Sequence, residues 1–276
     1  MPAVKNRLRG FSLIELMIAI TLGLLLMLVM TRLMAQQSSA RAEIEKSGRQ
    51  IENGRYAVNL LQEDIQLAGY YGQIGGVSAT LEILPNPCET GATAAGLDAI
   101  GDALVLPIQG YDSPSSLPTA LGACLNAANH VGGTDILVVR RSDAENDVVL
   151  PTAAVSGRVY IQSTPSELVV GRGGSTAVST VTRLRKDAAT PAELRRYVER
   201  IYFVSPCNVP SSGTVCDTGA DNGRPIPTLK RLDLGAGSFA ITPLVEGIEN
   251  LQLEYGIDST SDGAPDRFAT DPSLAE

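Results

Sequence analysis

The sequence predicts an α+β protein, with one long N-terminal helix packed on an antiparallel β-sheet domain. Three observations predict it. Residues 11–30 are apolar at sixteen of twenty positions. Apolar residues then recur every seven positions, at Ile44, Ile51, Val58 and Ile65. From Tyr70 onward the chain breaks into short β-like runs between clusters of Gly, Pro, Ser and Asn.

The first element sets the rest. Residues 1–10 carry Lys5, Arg7 and Arg9 and no acidic side chain. The twenty residues that follow would span roughly 30 Å as a helix, the thickness of a bilayer core. A basic flank keeps the N-terminus cytoplasmic and sends the bulk of the chain across. A cleaved secretory signal explains this poorly, because its apolar region is shorter and ends at a small-residue cleavage site. A plain membrane anchor leaves Glu15 unexplained. A carboxylate inside a spanning helix costs about 2.5–3.5 kcal/mol on insertion scales, so such a group is functional by default.

No proline occurs between residues 11 and 68. The seven-residue recurrence, with Leu61 and Ala68 three residues after Val58 and Ile65, marks one stripe of a helix that continues to about residue 68, where Gly69 offers a stop. Such a helix, about 58 residues long, would measure roughly 87 Å. Its first half (11–34) is apolar all round, and its second half (35–69) is amphipathic. The stripe reads as the seam that carries a domain. The faces between, with Arg41, Glu43, Glu52, Glu63 and Asp64 among them, suit solvent.

Residues 70–276 read as the β-rich domain. Candidate strands are Ala103–Gln109, Asp135–Arg140, Arg158–Gln162, Glu167–Val170, Ala177–Leu184, Arg195–Val204, Thr228–Leu232 and Glu249–Tyr255. Residues 110–133, 205–227 and 258–276 read as loops.

Composition narrows the function classes. The 276 residues are 44% hydrophobic and 19% charged, which excludes disorder, a collagen and a polytopic membrane protein. A net charge of −8 argues against nucleic-acid binding, which needs a basic face. Trp is absent and aromatics are only 4%, so a sugar-stacking surface is disfavoured. With one histidine, His130, and no Gly-x-Ser-x-Gly, a Ser-His-Asp triad is poorly supported. His130 reads as a loop or satisfied buried residue. The turn at Gly171-Arg172-Gly173-Gly174-Ser175 lacks the Lys-Ser/Thr of a phosphate loop. No enzyme activity is expected.

The string Arg9-Gly10-Phe11-Ser12-Leu13-Ile14-Glu15 resembles the class III signal of type IV prepilins and pseudopilins. The resemblance implies a long pilin-like helix on an antiparallel sheet. It implies cleavage by the prepilin peptidase between Gly10 and Phe11, with Phe11 then N-methylated. It also implies that Glu15 is neutralised by the Phe11 amine of a neighbouring subunit during assembly. Many major pilins have a helix-breaking proline at the position matching Arg32, and this chain does not.

Three later blocks are similar to PilW-type minor pilins. They are Leu60-Leu61-Gln62-Glu63-Asp64-Ile65-Gln66-Leu67-Ala68-Gly69-Tyr70-Tyr71-Gly72, Gly133-Thr134-Asp135-Ile136-Leu137-Val138-Val139-Arg140, and the stretch from Leu244 to Asp258. The last also resembles J-type pseudopilins of type II secretion systems, which stand as the alternative; a tip adhesin is the alternative of another class. In that family further sequence usually follows, so a C-terminal truncation is expected. The family implies other minor pilins, the major pilin, the prepilin peptidase and the inner-membrane assembly platform as partners, with a large tip adhesin as a further one. It places the chain in the inner membrane, then in the periplasm and the surface fibre.

Four cysteines, Cys88, Cys124, Cys207 and Cys216, in an exported domain point to two disulfides. Three connectivities exist, and chain proximity favours Cys88–Cys124 with Cys207–Cys216. A zinc site is disfavoured, because no Cys-x-x-Cys occurs. Asp258, Thr260, Asp262, Ala264 and Asp266 sit at positions 1, 3, 5, 7 and 9 of a loop with Gly263 at position 6. That is the opening of an EF-hand-type calcium loop. Position 12 is Ala269 rather than Glu, with Asp271 just beyond. The same spacing serves an Asx- and Gly-rich turn. The sequence leaves calcium and the plain turn both open, and it implies no other cofactor.

Overall fold

The computed structural model describes residues 11–75, 77, 83–144, 154–174, 183–184, 189, 191–260 and 262–270. The leader residues 1–10, Gly10 included, lie outside them, as do Ser175, Ser261, Asp271 and most of the candidate strand Ala177–Leu184. Two units can be distinguished, residues 1–52 and 53–276.

Helix α1 runs over Leu13–Gln66 without interruption at Arg32, as the absence of proline requires. Its start has the Ser-x-x-Glu order of a capping box: Ser12 is the cap, and its backbone N–H donates to the Glu15 carboxylate at 3.1 Å. In the first unit the helix is exposed on every side, and its apolar stretch has a mean hydropathy of 2.6. Polar groups within that stretch are satisfied by the helix itself. The Thr21 hydroxyl donates to the Ile18 carbonyl, and that of Thr31 to Met27 and Leu28. Backbone and hydroxyls therefore need no water, the condition for a helix in hydrocarbon.

In the second unit α1 ends on the sheet. Gly69 follows with a positive φ of 75°, and its N–H donates to the Arg140 carbonyl. The face that packs is Ala57, Leu61 and Asp64, with Ile65 and Ala68 beside it. The predicted seam packs only through Leu61, Ile65 and Ala68. Ile44, Ile51 and Val58 remain 71%, 62% and 62% exposed, whereas Asp64, assigned to solvent, is 2% exposed. Ile44 and Ile51 belong to the first unit, where the helix is exposed on every side.

Among the described residues one seven-stranded antiparallel sheet dominates, in the order β1-β2-β5-β3-β4 with β6 and β7 branching from β5. The strands are β1 (Ile108–Tyr111), β2 (Ile136–Ser142), β3 (Val159–Ser163), β4 (Leu168–Arg172), β5 (Leu194–Ser205), β6 (Thr228–Leu234) and β7 (Phe239–Glu246). β5 is the spine. Its first three residues pair with β3, its middle with β2 and its end with β6. All seven residues of β2 are buried, because both faces are covered. Leu137 and Val139 meet Leu61 and Tyr202 on the helix side. Ile136 and Val138 meet Ile201, Phe203 and Leu232 on the other, alternating as a pleated strand must. Each such side chain contributes about 1.5–3 kcal/mol of burial.

Two strand expectations failed. The run ending in Gln109 holds the end of a helix, α2 (Ala94–Ala103), capped by the Thr93 hydroxyl, and only Ile108 onward is strand. Residues 249–254 are not a strand either; β8 (Tyr255–Ile257) begins at their end and pairs with β9 (Arg267–Ala269). Asp135 captures the intervening segment instead. Its N–H donates to the Leu251 carbonyl, and its carboxylate accepts from the Leu253 N–H. Strand β7 was not foreseen: Pro243 sits in it at a register shift, where a missing N–H is tolerated.

Candidate functional site

The sequence-predicted residues fall in three separate places. Phe11 and Glu15 lie at the start of α1. Phe11 is 85% exposed, and Glu15 is committed to the Ser12 N–H. In the single chain the carboxylate thus closes the helix N-terminus, where negative charge also suits the helix dipole.

The cysteines lie in the domain. Cys88 is bonded to Cys124 and Cys207 to Cys216, the pairing that chain proximity favours, so no thiol remains for zinc. Cys88–Cys124 lines the core beneath β2 and β5. Cys207–Cys216 closes a loop held from outside by the Asp221 carboxylate, which accepts from the backbone of Asn208, Val209 and Ile226. Burial pushes that carboxylate up, but the three N–H bonds together hold it below the usual Asp value.

Asp258, Thr260, Asp262, Ala264 and Asp266 all lie on the connection between β8 and β9. Asp266 accepts from Ser259 N–H at 2.8 Å, the Ser259 hydroxyl at 2.8 Å and Thr260 N–H at 3.0 Å. Asp258 accepts from the Gly263 N–H, and Asp262 from that of Ala264. These bonds build an Asx-type turn from the same oxygens a cation would use. Across from this hairpin, β1 needs a glycine: a Cβ on Gly110 would lie 1.9 Å from the Tyr255 hydroxyl.

His130 is buried, and its Nε2 contacts the Thr134 carbonyl at 3.1 Å. Burial lowers its pKa more than that contact raises it. It is a satisfied core residue.

One buried carboxylate that ties the helix to two strands was not singled out by the sequence. Asp64, near the end of α1, accepts from Arg141 Nε at 2.7 Å, Arg200 Nη1 at 2.8 Å and the Tyr202 hydroxyl at 2.8 Å. One helix carboxylate thereby holds β2 and β5. An open groove of about 740 Å³ lies beside it, with Arg196 and Arg231 further along its wall. Deeper, Arg140 is fully buried and satisfied by Glu199, the Leu106 carbonyl and Gln109, while the Tyr197 hydroxyl donates to Glu199. Asp64, between Glu63 and Ile65 on the helix, carries no sequence signal of its own. The arginines that complete it are 77 and 136 residues away. Nothing in these contacts sets up a nucleophile and base; they fasten the helix to the sheet.

A capped, uninterrupted helix, apolar first and then packed through Asp64 on an antiparallel sheet, gives an α+β, pilin-like layout. Comparison with known families agrees at both ends. Residues 5–31 match the prokaryotic N-terminal methylation motif, and residues 215–276 match the type IV pilus-assembly protein W family, PilW. The two matches support a PilW-type minor pilin, and with the apolar helix they fit a pilin anchored in the inner membrane. The late block from Leu244 to Asp258 lies within the second match; the blocks at 60–72 and 133–140 lie outside both. No curated protein and no solved structure matches the chain.

Proposed function

We propose that the chain is a minor pilin that primes type IV pilus assembly and sits at or near the fibre tip. The observation that carries the reading is the conjunction of a methylation motif spanning Gly10, Phe11 and Glu15 with a pilus-assembly match over the end of the domain. On this reading the prepilin peptidase cuts after Gly10 and the Phe11 amine is methylated. Glu15 leaves the Ser12 N–H and pairs with the amine of the adjacent subunit. In the low dielectric of a helix bundle, a paired carboxylate is far cheaper than an isolated one. The apolar half of α1 joins the fibre core and the domain supplies lateral contacts to other minor pilins, the major pilin and a large tip adhesin. The role is structural, not enzymatic. Calcium binding by the 258–266 loop is a separable part of the proposal, tested by calorimetry of the full chain in detergent: heat saturating at or below millimolar calcium supports it, and none defeats it.

Deleting the gene tests the role. Surface filaments are expected to fall sharply while protein secretion is unchanged. Lost secretion with intact filaments would favour a pseudopilin of a type II secretion system instead.

A further inference from the structure

Lys230, on β6, is 3% exposed. Among the described residues its ammonium hydrogen-bonds only sulfur: Nζ lies 3.9 Å from Cys207 Sγ and 4.0 Å from Cys216 Sγ. A buried cation is costly unless paired, and a disulfide sulfur is a weak acceptor. Burial accordingly lowers the Lys230 pKa, and the charge of Asp221 restores only part of it. A second donor faces the same bond, the Ser205 hydroxyl 3.2 Å from Cys216 Sγ. A cation and a hydroxyl aimed at two sulfurs are poorly matched to a disulfide and well matched to a thiolate.

We propose that Cys207–Cys216 is an exchangeable disulfide, a substrate for a dithiol oxidoreductase, whose reduced form is held by Lys230. Cys216 is 9% exposed and Cys207 not at all, so the attacking thiolate reaches Cys216 Sγ. The S–S bond breaks, and its electron pair goes to Cys207 Sγ beside the Lys230 ammonium. The second thiol of the reductant then attacks its own sulfur in the mixed disulfide. Cys216 leaves as a thiolate and takes a proton from water, and the reductant departs as a disulfide. Stabilising the reduced form raises the reduction potential of the pair. The freed loop bears on the helix joint: Asn208 Nδ2 donates to the Glu246 carboxylate, and the Glu246 carbonyl accepts from Asn53 Nδ2 on α1 at 3.0 Å.

The test is redox titration of the full-length chain in detergent with glutathione buffers, trapping thiols by alkylation and mapping them by mass. Cys207–Cys216 is expected to open at a less reducing poise than Cys88–Cys124. Lys230→Met should shift its midpoint about tenfold toward more reducing buffers, about 30 mV for a two-electron couple. Lys230→Arg should stay near wild type. An unchanged midpoint in Lys230→Met, or opening only together with Cys88–Cys124, overturns the proposal. Should Lys230→Met not fold, the wild-type chain with only this pair reduced decides. Thiolate absorbance is then expected to titrate below the ordinary thiol value of about 8.5; titration at or above it overturns the proposal.

Discussion

Asp64 concentrates the most consequence in a single side chain. Replacing it with Ala leaves two guanidinium groups and a tyrosine hydroxyl without their acceptor at a buried site. Removing one partner from such a cluster costs about 3–5 kcal/mol. Urea unfolding of Asp64→Ala should show a loss near the lower figure, because Arg200 keeps Asp233 as a second partner. Its exposed neighbour Glu63 is the control, and Glu63→Ala should change stability by less than about 0.5 kcal/mol. Asp266 makes a prediction in pH. The Ser259 hydroxyl first, then the Ser259 and Thr260 N–H groups, hold its carboxyl below the usual Asp value. A depressed pKa gives stability that is complete above the unfolded value, about 3.9, and is lost as pH falls through the folded one. The amide resonances of Ser259 and Thr260 should therefore stay fixed from pH 7 to 5 and move only below about pH 4.

At the scale of the element, the two faces of α1 predict opposite outcomes. Leu61→Ala removes a side chain packed against Leu137, Val139 and Tyr202, and should cost about 2–3 kcal/mol by urea unfolding. Val58→Ala, at an exposed position, should stay within about 0.5 kcal/mol. Equal losses would mean that the stripe packs at Val58 as well as at Leu61. The comparison shows what was legible. The helix, its uninterrupted passage through Arg32 and the strands from β2 to β6 follow from local pattern, because period and proline content are local. The packed face was legible in part, since Leu61, Ile65 and Ala68 belong to the predicted stripe; Asp64 was not, because it looks like any solvent carboxylate until the distant Arg141 and Arg200 close on it. The segment 249–254 misled for the same reason: its alternation suits a strand, but Asp135 takes the backbone bonds a ladder would have used. At the N-terminus, Gly10, Phe11 and Glu15 were legible as a motif, and they lie within the methylation-motif match over residues 5–31. The cap that occupies Glu15 follows from Ser12 standing three residues before it, a pattern readable in the sequence but masked there by the stronger resemblance.

At the scale of the whole chain, α1 is apolar and exposed in the first unit, while in the second its end packs on the sheet through Ala57, Leu61 and Asp64. On the proposed processing between Gly10 and Phe11, Glu15→Val should still be cleaved and methylated, since the substitution lies outside that bond. It should be recovered in sheared filaments at a small fraction of wild type, because the mature chain then lacks the group that pairs with a neighbour's amine. The most direct measurement is intact-mass and N-terminal peptide analysis of the wild-type chain recovered from sheared filaments. The account predicts a chain beginning at Phe11 and carrying one methyl group on its amine. A chain retaining residues 1–10, or absent from filaments while abundant in the membrane, would contradict it.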